Sequence, residues 1–212
     1  MVFGRKNGPV TLTKSSPLLL ASGSPRRREL CEALGLPIAT LTPAVDESID
    51  KAERPLRYLE RIVASKLVAA RRQAADVAHA ALLVADTIVV CDGEVLDKPR
   101  GLAERVKAVQ RLSGRSHEVS TRFAIELRDG SAIEQATVTT RVFVRPLPAA
   151  WVDAYAASGE GSDKAGGYAI QGRFAFAIPR IEGSYSNVVG LPQAEIIAAL
   201  ERLGLLPVFP LL

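Results

Sequence analysis

The chain has 212 residues, of which 48% are hydrophobic and 24% charged, with a formal net charge of +4 and a pI near 9.3. This length can bury a proper core in one large domain or two closely joined lobes, and the composition is that of a globular protein rather than a disordered one. The mildly basic charge suits an anionic small substrate as well as a nucleic acid and does not separate them.

Two cysteines and two histidines limit the chemistry of the chain. Cys31 and Cys91 lie far apart without metal-ligand spacing, so we expect reduced thiols in the core. His79 and His117 are too few for a histidine-rich zinc site or a histidine-based triad. Residues 1–14 hold charges and glycine rather than an apolar signal core, and no apolar run is long enough to span a bilayer. We therefore expect a cytoplasmic protein.

A strand, a tight turn and a helix N-terminus are predicted near the start of the chain. The apolar run 18–21 favours a buried strand, and Pro25 favours the first position of a helix, where its missing N–H costs nothing. The N–H groups of such a helix start attract anions, Ser22 and Ser24 add hydroxyls, and the arginines after Pro25 add positive charge. Alternatively, Ser24 only caps the helix and the arginines form a solvated face. The spacing of a Walker loop is absent.

The next elements place a loop acid and a helical lysine. Residues 38–41 have the pattern of a short strand, and 42–48 that of a loop with two adjacent carboxylates, the second of which is Glu47. Apolar spacing over 56–75 predicts a helix on which Lys66 lies beside the apolar stripe. The stem of this lysine can pack on the stripe while its ammonium reaches a cleft.

The clearest buried strand, residues 81–90, carries an acid at its centre. An uncompensated Asp86 in so apolar a run would cost several kcal/mol, so we expect it to meet a cation, a metal or water. A structural salt bridge is the plainer explanation of the same acid. The Asp92-Gly93 turn predicts a hairpin whose return brings Lys98 back towards the Asp86 strand.

The second half of the chain is predicted from the same kinds of pattern. His117 is expected to be a hydrogen-bonded structural histidine. Trp151 and Tyr155 lie on one helix face, where packing in the core or an interface is the default. The predicted elements are a helix over 102–112, a hairpin over 116–127 and 132–144, a helix over 148–158, a glycine-rich loop over 159–167, a strand over 175–178, a loop over 183–187, and a last helix over 192–203 followed by an apolar tail docked on the core.

The unusual polar residues form a set of two signs. A triphosphate needs several cations against its charge, and carboxylates beside it are tolerable only where a divalent metal lies between the like charges. Such a set predicts metal-assisted hydrolysis of a phosphoanhydride, with a carboxylate that orients or deprotonates the attacking water. The carboxylates are Glu47 and Asp86, and the cations are Arg26, Arg27, Lys66, Lys98 and Lys164.

A series of short motifs follows one order along the chain. They are Leu20-Ala-Ser-Gly-Ser-Pro-Arg-Arg-Arg-Glu-Leu30, Val45-Asp-Glu47, Ser65-Lys66, Ala85-Asp-Thr-Ile-Val89, Lys98-Pro99, Leu112-Ser-Gly114 with His117, Asp163-Lys-Ala165, Tyr168 to Gly172, and Tyr185 to Pro192. In this number and order, the motifs resemble those of the Maf family of nucleoside triphosphate pyrophosphatases, from Leu18 to Leu203.

The resemblance implies a reaction and a fold. It implies cleavage of a nucleoside triphosphate between its α and β phosphates, yielding a nucleoside monophosphate and pyrophosphate, with Mg²⁺ or Mn²⁺, in a cytoplasmic homodimer. The implied fold is α/β, with an elongated mixed central sheet flanked by helices and two lobes around a cleft, as in Maf and ITPase-like proteins. Residues 18–212 would form this single domain, and residues 1–17 an N-terminal extension without an assigned role.

The resemblance also implies roles for individual residues. Asp86 would accept the proton, and Glu47 would act on the metal or water, so that these two acids are the expected metal ligands. Lys66 and Lys98 are placed with the catalytic residues. Contacts to the phosphates or the cleft are expected from Ser22, Arg27, Lys66, Lys98 and Lys164.

Arg26, Thr87 and Gln171 resemble the specificity set of the subgroup that hydrolyses dTTP and UTP. A subgroup that acts on 7-methyl-GTP has tryptophan in place of Arg26 and glutamate in place of Gln171. An aromatic ring can stack on a methylated, positively charged guanine, whereas the Gln171 amide can donate to O4 and accept from N3–H of a uracil ring. Uracil and thymine differ by one methyl group, so we expect little discrimination between them.

Departures from the family pattern concern the shape of the pocket. Ala169 stands where glycine is common, Asp97 where glycine or glutamate is usual, and 174–177 is bulkier than the usual run. Two other functions stay open. One is a 7-methyl-GTP pyrophosphatase, and the other is a nucleic-acid-binding or cell-division regulatory protein that contacts phosphates through 26–28. The latter leaves Asp86 inside an apolar strand unexplained.

Overall fold

The computed structural model describes residues 11–49 and 53–206. Its strands are β1 (Leu18–Ala21), β2 (Ile38–Leu41), β3 (Ala81–Cys91), β4 (Glu94–Val95), β5 (Ser116–Leu127), β6 (Ile133–Phe143) and β7 (Arg180–Glu182). Its helices are α1 (Pro25–Ala33), α2 (Pro55–Gln73), α3 (Leu102–Leu112), α4 (Ala149–Ser158), α5 (Tyr185–Val189) and α6 (Gln193–Arg202), with short 3₁₀ segments at Ala165–Gly167 and Arg173–Ala177. The strands form one mixed seven-stranded sheet in the order β2-β1-β3-β5-β6-β7, with β4 paired to β3.

The sheet changes from parallel to antiparallel at β3. On one edge, β5 runs antiparallel to β3 along residues 81–90. On the other edge, β1 runs parallel to β3 along residues 81–84, and β4 pairs only with Val90 and Cys91. Residues 85–89 of β3 therefore have a strand on one side only among the described residues. The uncovered edge begins where β1 ends, which is where α/β sheets place their ligand sites.

Helix α2 covers one face of the sheet. Its apolar side packs against Leu82 and Val84 of β3, as the helical spacing of apolar residues predicts. Side chains alternate between the two faces of a strand, so Asp86 points to the α2 face and Thr87 points to the opposite face. The fold thus brings the strand acid under the helix that carries Lys66.

The opposite face of the sheet carries two separate cores. One contains Ala85 with the apolar side of α6, and the other contains Val89 with residues of α3 and α4. The uncovered stretch of β3 lies between these two cores, which form the two lobes. Leu12 belongs to the first core, and its N–H donates to the carbonyl of Leu205 at 3.2 Å. Residues 1–10 and 207–212, which include most of the predicted extension and tail, lie outside the described residues.

The predicted mixed α/β sheet is confirmed, and most predicted elements are confirmed within two residues of their bounds. The strand predicted over 175–178 is wrong, because this stretch belongs to a 3₁₀ helix whose Phe174 and Ala177 turn to the core. The loop predicted over 183–187 is also wrong, because Ser184 caps α5 by accepting a hydrogen bond from the N–H of Asn187. None of the described helices has the length and hydropathy needed to cross a bilayer.

Candidate active site

A cavity of about 1030 Å³ opens at the uncovered stretch of β3. The turn between β1 and α1, the loop after β2, the segment after β4 and the loop after α4 form its walls. The fold gathers all of the predicted site residues there, although the role of each remains a prediction. They are Ser22, Arg26, Arg27, Glu47, Lys66, Asp86, Thr87, Lys98, Lys164 and Gln171.

Lys66 lies between the two predicted metal ligands. Its Nζ is 2.6 Å from Oδ1 of Asp86 and 2.7 Å from Oε1 of Glu47. The lysine is buried on α2, and the Asp86 side chain is 14% exposed, whereas the Glu47 side chain is 47% exposed. Lys66 is therefore the cation expected beside Asp86, and its ammonium also contacts the carboxylate of Glu47. An ion pair in so buried a place is stable only when both charges are partnered.

Glu47 is held ionised and in place by its neighbours. Burial raises the pKa of Glu47, but the hydrogen bond and the charge of Lys66, with other cavity cations, outweigh burial and bring the pKa below its usual value. The hydroxyl of Tyr58 donates to the backbone carbonyl of Glu47 at 3.0 Å. Burial and the nearby carboxylates raise the pKa of Tyr58 to about 12, so this hydroxyl stays protonated and remains a donor.

Arg27 is buried and used mainly by the protein itself. Its Nε donates to the carbonyl of Gly190 at 2.9 Å, and its Nη1 donates to the carbonyl of Ala85 at 2.9 Å and to Oγ of Ser22 at 3.2 Å. Its Nη2 donates to Oγ1 of Thr87 at 3.0 Å. Burial lowers the pKa of Arg27, yet a guanidinium stays charged. The guanidinium thus satisfies the open edge of β3, and four of its five N–H groups donate to described residues.

The start of α1 has no side-chain cap. Ser24 occupies the N-cap position, as the alternative interpretation expected, but its side chain makes no capping hydrogen bond. Oγ of Ser22 accepts a hydrogen bond from the N–H of Ser24 at 3.2 Å and shapes the turn. The first N–H groups of α1 therefore keep their capacity for an anion at the wall of the cavity.

Asp163 pairs with two of the cavity cations. Its carboxylate lies 3.2 Å from Nη1 of Arg26 and also contacts Nζ of Lys164. Burial raises the pKa of Asp163, but Lys164 and Arg26 outweigh burial and lower it overall. The carboxylate is thus ionised, and it pairs with both of these cations.

Family membership follows from comparison with known proteins. A family model described as Maf-like protein matches residues 17–203. The chain belongs to the Maf family. It is 42% identical over 193 residues to a protein of Geotalea uraniireducens (strain Rf4) named dTTP/UTP pyrophosphatase, covering 89% of this chain and 96% of that one. A protein of Methylococcus capsulatus (strain ATCC 33009 / NCIMB 11132 / Bath) with the same name is 45% identical over 188 residues, covering 89% of this chain and 91% of that one.

One solved structure is a more distant likeness of this Maf chain. It is the nucleoside-triphosphatase / dITP/XTP pyrophosphatase from Mycobacterium abscessus ATCC 19977 / DSM 44196. The alignment covers 62% of this chain and 74% of that one, at 14% identity and a TM-score of 0.35. A likeness this remote carries no conclusion about the site.

The three predicted base-selecting residues differ in how free they are in the Maf cavity. Arg26 is ion-paired with Asp163, and the hydroxyl of Thr87 lies 2.9 Å from that of Thr121. Gln171 is exposed, and its amide makes no hydrogen bond to another described residue. It therefore has both amide groups available to a base.

Sequence reasoning missed several cavity and support residues. Asp163 stood inside a quoted Asp-Lys motif, which was a signal that an acid accompanies Lys164. Tyr58 stands on the buried side of the predicted helix, and nothing in its spacing indicated the hydrogen bond to the loop of Glu47. The hydrogen bond between Tyr58 and Glu47 becomes visible only in the folded Maf chain.

Proposed function

We propose that this Maf chain is a dTTP/UTP pyrophosphatase. Water adds to the α phosphorus of the triphosphate, the bond to the β phosphate breaks, and pyrophosphate leaves with a nucleoside monophosphate as the other product. The observation that carries the proposal is the group of Glu47, Lys66 and Asp86 at the wall of a cavity that also holds Lys98 and Lys164. The names of the relatives at about 40% identity support the choice of substrate.

The carboxylates of the cavity fit a divalent metal that arrives with its substrate. Glu47 and Asp86 both contact Nζ of Lys66, and their carboxylates are the kind of oxygen donor that Mg²⁺ and Mn²⁺ prefer. In the part of the chain that the structure describes, no cluster of three or more His, Cys, Asp or Glu residues is suited to a metal by itself. Magnesium is commonly bound through one or two carboxylates together with substrate phosphates and water, so these two acids suffice. The bound ion would neutralise charge on the phosphate oxygens.

The chain's own residues then divide the work of hydrolysis. Asp86 accepts a proton from the attacking water, and Lys66, whose Nζ lies 2.6 Å from Oδ1 of Asp86, orients the carboxylate. Lys98 and Lys164 offset the negative charge of the phosphates. Arg27, through its hydrogen bonds to Ser22 and the β3 edge, keeps the turn before α1 in position.

Base choice is assigned to Gln171. Its free amide can donate to O4 and accept from N3–H of uracil or thymine, and both rings offer these groups in the same places. Arg26 in place of an aromatic residue removes the stacking partner that a methylated guanine would need. From the family resemblance we also propose a homodimer. Light scattering of the purified chain would measure its molar mass and so test this proposal.

The test of this function is an Asp86→Asn variant. With Mg²⁺ or Mn²⁺, the wild-type chain is expected to release pyrophosphate from dTTP and UTP, and the variant is expected to lose roughly 10²- to 10⁴-fold in kcat because the proton acceptor is gone. Asp76→Asn, on an exposed position after α2, is the matched control and should keep full activity. Circular dichroism and thermal unfolding verify that both variants fold.

Two results would contradict the proposal at different levels. Full turnover in Asp86→Asn would show that the assigned proton acceptor is wrong. A panel of dTTP, UTP, CTP and 7-methyl-GTP tests the base separately, because preference for 7-methyl-GTP would overturn the role of Gln171 while leaving the reaction unchanged.

A further inference from the structure

Glu47 lies on a loop that has no regular structure of its own. Residues 42–49 follow β2 and form neither helix nor strand. Among the described residues, the backbone of 43–49 makes no hydrogen bond to another backbone group. The Glu47 side chain is 47% exposed, so burial does not fix it either. The position of this predicted metal ligand therefore depends on side chains that reach the loop from elsewhere.

Tyr58, in the first turn of α2, holds the backbone of Glu47. Its hydroxyl donates a hydrogen bond to the carbonyl oxygen of Glu47 at 3.0 Å. Its ring is buried in a small core that includes Ile88 of β3, and Ile49 at the end of the loop packs against the same core. A ring in a close-packed core cannot shift freely, so the hydroxyl meets the loop at a fixed place.

Arg61, one helical turn further along α2, holds the next residue of the loop. Its Nη2 donates a hydrogen bond to the carbonyl oxygen of Ser48 at 3.1 Å. The guanidinium is itself oriented by Glu53, to whose carboxylate it donates from Nε at 3.0 Å and from Nη2 at 2.7 Å. A paired contact of this kind fixes the plane of the guanidinium. Two successive carbonyl groups of the loop are thus bound to one helix.

Lys66 fixes the carboxylate of the same loop residue. A hydrogen bond to the backbone alone would leave the Glu47 side chain free to rotate, but Oε1 lies 2.7 Å from Nζ of the buried Lys66. Lys66 follows Tyr58 by eight positions, which is about 12 Å along a helix. The same Nζ lies 2.6 Å from Oδ1 of Asp86. Helix α2 therefore holds Glu47 at two points, its backbone and its carboxylate, and the second point also contacts the strand acid.

We propose that Tyr58 and Arg61 are positioning residues that hold Glu47 beside Asp86 and thereby set the affinity of the site for a divalent cation. This inference rests on the proposed function, in which both acids bind the metal that accompanies the triphosphate. A ligand that is already in place does not have to be ordered when the ion binds, so less conformational entropy is lost on binding. Without either hydrogen bond the loop can carry Glu47 away from Asp86, and the cation binds more weakly.

The experiment measures the binding of one nucleotide with and without metal. The probe is a UTP analogue with an imido group between the α and β phosphates, and calorimetry gives its Kd in Mn²⁺ and in EDTA. Tyr58→Phe is expected to raise the Kd of the Mn²⁺ complex about fivefold, as the loss of one hydrogen bond predicts, and to leave the Kd of the metal-free analogue unchanged. Arg61→Gln should change the two values in the same way.

Two control variants make the same chemical changes away from the loop. Tyr185→Phe removes the hydroxyl of an exposed tyrosine on α5. Arg57→Gln removes an exposed charge from α2 itself, where Arg57 pairs with Glu60 rather than with the loop. Both variants should leave the two Kd values as in the wild type.

A general structural role would give a different result. An equal rise of both Kd values would overturn the inference, because a distorted cavity weakens the nucleotide whether or not metal is present. Unchanged binding of the Mn²⁺ complex in Tyr58→Phe and Arg61→Gln would overturn it as well. Should Tyr58→Phe fail to fold, Arg61→Gln carries the test, since the Arg61 side chain is 42% exposed.

Glu47→Gln distinguishes this inference from the proposed function beneath it. An unchanged Kd of the Mn²⁺ complex in that variant would refute Glu47 as a metal ligand. A raised Kd in Glu47→Gln together with no effect of Tyr58→Phe and Arg61→Gln would leave the metal ligand in place and refute only its positioning.

Discussion

His117 illustrates how burial alone changes the chemistry of one residue. Its Nε2 lies 2.7 Å from the hydroxyl of Tyr168, and the two rings meet edge to face. Its Nδ1 is buried without a hydrogen-bond partner among the described residues. Burial lowers the pKa of His117 to about 4, so the ring is neutral in the folded chain at physiological pH. The predicted structural, hydrogen-bonded histidine is confirmed.

The stability of the protein should therefore decrease as the pH falls from 7 to 5. An unfolded histidine binds its proton near pH 6.5, about the ordinary value, whereas folded His117 does not until about pH 4. The unfolded state thus binds more protons in this interval, so the free energy of unfolding decreases as the pH is lowered. The decrease from pH 7 to pH 5 is roughly 2 kcal/mol. Urea titrations at both pH values measure this change. His117→Asn should show a smaller loss, and an equal loss in variant and wild type would contradict the assignment.

At the scale of single elements, the loop 159–167 depends on a close approach of its own backbone. A Cβ atom on Gly161 would lie 1.8 Å from the carbonyl oxygen of Gly167, so the two ends of the loop touch without any side chain between them. Asp163 and Lys164 lie between these two glycines and face the cavity. The glycine requirement here is one of space and determines where both charged residues stand.

Gly161→Ala should consequently destabilise the fold. Because the added methyl group meets backbone rather than a flexible side chain, we expect a loss of about 1–3 kcal/mol in the free energy of unfolding. Gly101→Ala is the matched control, since a Cβ atom there meets nothing within 4 Å and the backbone is extended. Urea unfolding midpoints compare the two variants. Equal stability of Gly161→Ala and the wild type would show that the loop opens without cost.

The elements that could be predicted are those fixed by local pattern. The long helix α2 and the strand β3 have apolar spacing over many residues, and both are confirmed. The 3₁₀ helix over 173–177 could not be predicted, because its alternating Phe-Ala-Phe-Ala run imitates a strand. Its geometry depends on Glu160, which caps it through tertiary hydrogen bonds. Short elements of this kind follow from contacts that spacing does not encode.

At the scale of the whole molecule, the residues of the cavity were predictable but their pairing was not. The order of the motifs predicted that the acids and cations belong to one site, and the fold places them in one cavity. Spacing did not indicate that Lys66 lies between two carboxylates or that Arg27 donates most of its hydrogen bonds to other residues of the chain. It also gave no sign that Arg26 meets Asp163 across 137 positions of sequence. Such pairs join side chains of different elements that only the tertiary fold brings together, as Arg26 of α1 meets Asp163 in the loop after α4.

The Arg26 to Asp163 contact should make the substrate compete with an internal carboxylate. Arg26 and Lys164 are among the cations predicted to face the triphosphate, and both contact Asp163. Removal of this charge in Asp163→Asn is therefore expected to lower KM for UTP severalfold, with a larger effect at low ionic strength. The Asp163 side chain is 64% exposed, so the free energy of unfolding should change by less than about 1 kcal/mol.

Steady-state kinetics at two salt concentrations distinguish this competition from an orienting role. Asp153→Asn, exposed on α4, removes the same charge from the same lobe without touching either cation, and it should leave KM as in the wild type. If KM rose in Asp163→Asn while stability stayed the same, Asp163 would be aligning Arg26 and Lys164 for the phosphates instead of competing for them. The direction of the change in KM therefore decides whether Asp163 competes with the substrate for Arg26 and Lys164 or aligns these two cations for it.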